Sequence, residues 1–211
     1  MLRIWGRGTS SNVQKVRWLL EEAGIAHERM EVGGPFGGTR TPEYLAMNPN
    51  ALVPTLQDGD FSLWESHTIV RYLANRHALH AWYPTDWQAR ADVERWMDWS
   101  QSVLGPAIFG GFWGLIRTAP TDRDPVAIRA SGDKTGAALA ILEARLADRP
   151  WLCGAHPTLA EITLGMHVYR WRELPWSQVG HLPGALPRLA DWFERLAQRP
   201  AFQRVVMIPI V

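Results

Sequence analysis

The stretch "GRGTSSNVQKVRWLL", starting at Gly6, sets four small polar residues at the entry to a helix: Thr9, Ser10, Ser11 and Asn12. Each has a side-chain oxygen able to accept an N–H of the first turn. One cap is enough, so the surplus either shapes the turn or faces a ligand. A second group lies in "NPNALVPTLQDGDFSLWES". Val53-Pro54 stands just before a strand, where a proline must sit at the start or at an edge because it donates nothing to the ladder. A cis bond there would leave the Val53 N–H and C=O facing outward, ready to pair with a peptide-like ligand as an extra strand. The plain alternative is a trans turn proline. Glu65-Ser66 follows at a strand-to-helix junction. Ser66 is a good N-cap, and the free N–H groups of a helix start also receive a carboxylate. Glu65 beside them offers a site for an ammonium. Together they match the two charges of an α-amino acid.

Alternating elements must position these groups. Residues 2–5 read as a strand, and Val13, Val16, Leu19, Leu20 and Ala23 recur at helical spacing before Gly24. Residues 27–32 read as a second strand leading into the flexible loop "GGPFGG". A short helix over 41–47 has Thr41 as cap and Pro42 at its first position. Residues 55–64 form a hairpin about an Asp58-Gly59 turn, and 66–76 a helix with Ile69, Val70, Leu73 and Ala74 on one face. The order βαβαββα predicts a four-stranded mixed sheet, parallel within the βαβ unit and antiparallel in the hairpin. After "HALHAWYPTDW" only helical patterns remain: 88–117, interrupted near Gly105-Pro106, then 125–147, a helix after Thr158, and shorter ones near 186–198 and 201–206. The predicted boundaries are 1–80 for the mixed domain, 81–87 for the linker and 88–211 for the helical domain.

Composition narrows the function classes. The 211 residues include 22 basic and 21 acidic side chains, a net charge of +1, so nothing global points to nucleic acid. The single cysteine, Cys153, excludes a disulfide framework and fits a reducing compartment. The opening "MLRIWGRG" has no long apolar stretch of the kind a signal peptide carries, and no run is long enough for a membrane-spanning helix. A cytoplasmic protein is expected.

The joint pattern resembles the cytosolic glutathione transferases, nearest their bacterial serine-type, theta- or nu-like members. "NPNALVPTLQDGDFSLWESHTIVRYLA" matches their first domain nearly throughout, and "TLAEITLG" from Thr158 resembles the capping box of their second. The resemblance covers essentially the whole chain. It implies a thioredoxin-like α/β N-terminal domain plus an all-α C-terminal domain, a cis Val53–Pro54 bond and a homodimer. It implies that Glu65 and Ser66 hold the γ-glutamyl group of glutathione and that the Val53 backbone pairs with the cysteinyl part. The hydroxyl at the first helix start then meets the sulfur: Ser10 takes that position, Ser11 is the runner-up, and Asn12 falls where some relatives place an asparagine that also reaches sulfur. A thiol with pKa near 8.5 is only a few per cent ionised at neutral pH, and a donated hydroxyl proton plus helix N–H groups favours the thiolate. The expected activity is conjugation of glutathione, the co-substrate, to a small hydrophobic electrophile, with no further cofactor and no metal. Alternatives are glutathione-dependent reduction of disulfides or peroxides, and a non-catalytic binding protein of the same fold.

Two positions depart from the family pattern. Many relatives carry a basic residue directly before the "VP", where this chain has Leu52. Thr39 or Arg40 is then the candidate for the glycine carboxylate of glutathione. In the second-domain box Glu161 replaces the usual aspartate, which the capping-box rule accepts. For the electrophile pocket, Phe109, Phe112, Trp113 and Ile116 form an apolar stripe, from which Phe109 and Trp113, together with Arg117, are the chosen pocket residues; Gly110, Gly111 and Gly114 could open space beside them. Other signals are set aside. "GGPFGG" lacks phosphate-loop spacing. His77 and His80 have no further ligands beside them. "YRWRELPW" reads as helix packing rather than a nucleic-acid stacking surface.

Overall fold

A computed structural model describes residues 1–211. Strand β1 (Leu2–Trp5) runs parallel to β2 (His27–Met30) and antiparallel to β3 (Thr55–Asp58), which pairs with β4 (Phe61–Trp64), giving the order β2-β1-β3-β4. Helices α1 (Ser11–Glu22), α2 (Pro42–Met47) and α3 (Ser66–Arg76) complete the mixed half. The predicted sheet topology is borne out. The second strand stops at Met30, short of the expected 32, and "GGPFGG" contains a short 3-10 turn, Gly34–Phe36, closed by Gly33 N–H donating to Gly37 O at 2.7 Å. The hairpin turn is Gly59-Asp60 rather than Asp58-Gly59, because Asp58 pairs with Phe61. Gly59 at φ 61° takes the first turn position, which a residue without Cβ fills at no steric cost.

The second half is all helix: α4 (Trp87–Trp99), α5 (Gly105–Phe112), α6 (Pro125–Arg145), α7 (Leu159–Glu173), α8 (Pro187–Ala197) and α9 (Pro200–Val205). The expected interruption near Gly105-Pro106 is instead a widened π turn, Ser100–Leu104, through which the helix continues. The wide turn makes room for the Pro106 ring, which would otherwise meet the carbonyl four residues earlier. A second π turn, Trp113–Arg117, ends this segment. Helix α7 is buried on all sides and forms the centre of the helical half. Its start is held as the sequence predicts. Thr158 Oγ1 accepts from Ala160 N at 3.3 Å, and the Glu161 carboxylate accepts from Thr158 N at 2.7 Å and Leu152 N at 2.8 Å. No helix is long and apolar enough to cross a membrane.

The halves meet along α1, which is covered on both sides. Val13, Val16 and Leu20 are buried in the main core with the sheet's Ile4 and Leu56, while the Trp18 ring meets Phe202 of α9 edge-on at 4.7 Å. Helix α7 comes close enough that a Cβ on Gly165 would lie 3.0 Å from both Phe202 and Trp18 ring atoms. This second covering buries Lys15, which the periodicity of α1 alone leaves on its polar side.

Candidate functional site

The loop before β3 is held by α2. The Leu52 carbonyl accepts from Tyr44 Oη at 2.6 Å and from Asn48 Nδ2 at 2.9 Å, and both side chains also bond Thr55 Oγ1. The Val53–Pro54 bond is cis, and the Val53 N–H and C=O have no protein partner. A fixed strand-like donor and acceptor pair therefore faces the cleft. The Leu52 side chain, 66% exposed, lies at its rim.

At the β4–α3 junction Glu65 sits at φ 71°, a left-handed conformation that costs a non-glycine residue on the order of 1–3 kcal/mol. Glu65, not Ser66, is the N-cap residue, so the expected cap is corrected: Ser66 is the first helical residue and its Oγ donates to Asn12 Oδ1 at 3.4 Å. Lys15 Nζ donates to the same oxygen at 3.0 Å. With its oxygen taken by two donors, the Asn12 amide has its NH2 left for the cleft.

Ser10 is the N-cap residue of α1 by backbone geometry, yet its hydroxyl caps nothing. The surplus at this helix start is thus larger than one spare oxygen. Ser10, Ser11 and Asn12 line a cavity of about 550 Å³ that also reaches Val53, Phe109, Trp113 and Arg117. Phe109 and Trp113 are 59% and 54% exposed and stack at 5.7 Å, while Phe112 of the same predicted stripe is buried. The glycines do not open this pocket. A Cβ on Gly111 would lie 2.2 Å from Trp176 and one on Gly114 2.5 Å from Ile128, so both serve close packing on the far side. A narrower cleft lined by Glu65, Ser66 and Pro54 joins the cavity through shared Asn12, Leu52 and Val53. Thr39 and Arg40 line neither; Arg7 lines the wide part instead.

Sequence reasoning missed Arg7, Lys15, His67, His167 and Arg170. Lys15 is 3% exposed; burial, then Arg170, lowers its pKa to about 7, with Glu65 opposing. Burial, then Lys15 and Arg71, pushes His67 down to about 2, and Lys15 Nζ lies 3.0 Å from its Nε2. Arg170 falls to about 10 through burial, then Arg117 and Arg7. Its Nη2 donates to Thr9 O at 3.2 Å and its guanidinium lies 4.5 Å from the Phe112 ring centre. The spacing of Asn12 and Lys15, three apart on one helix, was the available signal. For Arg170, set aside with "YRWRELPW" as packing, there was none: only the placing of α7 against α1 brings it to the cleft. The lone Cys153 is partly buried and bonded toward Asp92 O; burial, then Glu161 and Asp92, raises its thiol to about 12, which leaves it unreactive.

The arrangement can hold an extended peptide, receive its ammonium at Glu65, and present hydroxyl and amide donors to its next side chain beside an aromatic cavity. Residues 9–76 match the family model described as "Glutathione S-transferase, N-terminal domain", and residues 125–195 the one described as "Glutathione S-transferase, C-terminal domain". The chain is 39% identical over 214 aligned positions to glutathione S-transferase GstB of Escherichia coli K12, covering 100% of both. The theta class glutathione S-transferase of the citrus canker pathogen Xanthomonas axonopodis pv. citri, solved with glutathione bound, superposes with TM-score 0.93 at 46% identity, covering 100% of this chain and 99% of that one. Its apo form superposes at 0.83, with 40% identity and coverage of 100% and 98%.

Proposed function

The chain belongs to the glutathione S-transferase family and is a glutathione-conjugating enzyme, and from that premise we propose how its own residues do the work. Glutathione lies along the cleft with its ammonium at Glu65, its γ-glutamyl carboxylate at Ser66 and the start of α3, and its cysteinyl part paired with the Val53 backbone. Ser10 donates to the sulfur, with Ser11 and the Asn12 amide as neighbours. Arg7 takes the glycine carboxylate in place of the Thr39 and Arg40 suggested by sequence. The electrophile stacks on Phe109 and Trp113 near Arg117. The observation that carries this reading is the continuity of the two clefts through Asn12, Leu52 and Val53.

The rate gain comes from holding thiolate and electrophile together and from donors aimed at the sulfur. Residues 1–80 serve as the glutathione-binding unit, 81–87 as linker and 88–211 as the electrophile-binding unit. The protein acts as a cytoplasmic homodimer, as the resemblance implies, and light scattering of the purified protein tests it. Calorimetry tests the cleft. Glutathione binds the parent chain, and Glu65→Ala weakens it by about tenfold or more. Equal binding by the two would refute the placement.

A further inference from the structure

We propose that the electrophile preferred by this chain carries a carboxylate, which enters a cavity walled by Lys15, His167 and Arg170 behind the helix start that faces the sulfur. The proposal rests on the transferase reading and narrows its substrate class. The cavity measures about 210 Å³ and shares Ser11, Asn12, Phe109, Phe112 and Arg170 with the larger one. A ligand whose ring lies on Phe109, with its reacting carbon beside Ser10, can therefore direct a substituent into it.

The chemistry of the walls selects that substituent. No aspartate or glutamate lines this cavity. Lys15 and His167 are buried, and the hydrogen-bond partners of Lys15 and Arg170 are uncharged: Asn12 and His67 for the lysine, the Thr9 carbonyl for the arginine. His167 Nδ1 is buried with no partner at all. Buried polar groups are normally paired, and buried cations normally face a carboxylate. Burial first, and then the positive charge of neighbouring arginines, lowers the pKa of both Lys15 and Arg170. The acid that acts on Lys15 is Glu65, which is exposed and, in the transferase reading, occupied by the glutathione ammonium. The two carboxylates of glutathione are already placed at Ser66 and Arg7. One further carboxylate would answer the lysine and the arginine together.

A chlorodinitrobenzoate with its carboxylate para to chlorine is the probe. The thiolate sulfur attacks the carbon bearing chlorine, the C–S bond forms, the C–Cl bond breaks, and chloride leaves with the bonding pair. The thiol proton passes to solvent and the carboxylate is unchanged. The neutral chlorodinitrobenzamide is the matched control. Each kcat/KM is divided by the rate constant of the same compound with free glutathione thiolate, which removes intrinsic reactivity. The expected normalised ratio favours the benzoate by about tenfold or more, and falls toward unity in Arg170→Gln and in Lys15→Met. Dinitrobenzoate without chlorine should also compete with the electrophile on the unmodified enzyme more strongly than dinitrobenzamide, a comparison that needs no variant to fold. A ratio at or below unity, or a preference that survives both substitutions, overturns the inference while the transferase reading stands. So does dinitrobenzoate competing with glutathione instead of the electrophile, since the cavity would then hold a carboxylate of the peptide. Failure to conjugate the benzoate, with or without turnover of the benzamide, also overturns the inference, and calorimetric binding of glutathione then shows that the transferase reading stands.

Discussion

Ser10 and Lys15 stand only a turn apart and are asked for opposite things. Ser10 keeps a free hydroxyl because the first turn of α1 is left without a side-chain cap. Ser10→Ala is expected to raise the pKa of enzyme-bound glutathione by about one unit and to lower kcat/KM by about 10- to 100-fold. Thiolate absorbance and steady-state kinetics read both; if only Ser11→Ala or Asn12→Ala has these effects, the donor is misassigned. Lys15 orients Asn12 from below while facing Arg170, His67 and Glu65. Its folded pKa of about 7 lies below the ordinary lysine value. Between the two, the unfolded chain holds a proton that the folded chain lacks, so this group makes stability rise with pH across that window, by up to about 1.4 kcal/mol per pH unit. Below about pH 7 both states are charged and the full penalty of burial remains. Lys15→Met should remove this slope from urea denaturation curves; an unchanged slope would mean that the lysine keeps its charge when buried.

At the scale of elements, ends and junctions matter more than interiors. Helix α2 exists largely to hold a carbonyl: Tyr44 and Asn48 fix Leu52, and the neighbouring Val53 backbone is presented without a partner. The start of α7 is held by one carboxylate that takes bonds from Thr158, Leu152 and, at 3.4 Å, the Trp192 indole. Glu161→Ala would orphan these buried donors and should cost about 3 kcal/mol, seen as a lower urea midpoint. A cost below about 1 kcal/mol would show that water replaces the carboxylate readily. Much at this scale was legible in the sequence: Thr41, Pro42 and the Thr158–Glu161 box sit where local capping rules put them. The π turn before Pro106 was not, because periodicity registers a proline as a break and carries no sign that a wider turn can admit it.

On the scale of the whole molecule, the site is a product of docking. The helical half covers α1, seats Arg170 over Phe112 against Thr9, and brings Phe109 and Trp113 across from Ser10. The contact depends on a small residue where α7 passes α1 and α9. Gly165→Val puts atoms where Trp18 and Phe202 already stand, at 3.0 Å from the first added carbon. It should cost about 1–3 kcal/mol and loosen electrophile binding more than glutathione binding, since the glutathione cleft is built mainly within the mixed half. Separate KM values for the two substrates measure this; a larger rise for glutathione would place the coupling elsewhere.

The sequence by itself determined the order of elements along the chain, the pairing sense within the βαβ unit and the hairpin, the caps at Thr41 and Thr158, and the triad of local signals at "GTSSN", "VP" and "ES". These depend on periodicity and on neighbours within a few positions, which a linear reading preserves. Only the tertiary structure decided that Ser10 caps nothing with its side chain, that Glu65 rather than Ser66 takes the cap position with a left-handed backbone, and that Lys15, His167 and Arg170 gather around one cavity. Lys15 looks solvent-facing along its own helix, and Arg170 lies far away in the chain. Their burial and their shared want of an anion arise when a second helical layer closes over the first, a non-local event with no periodic trace in either segment.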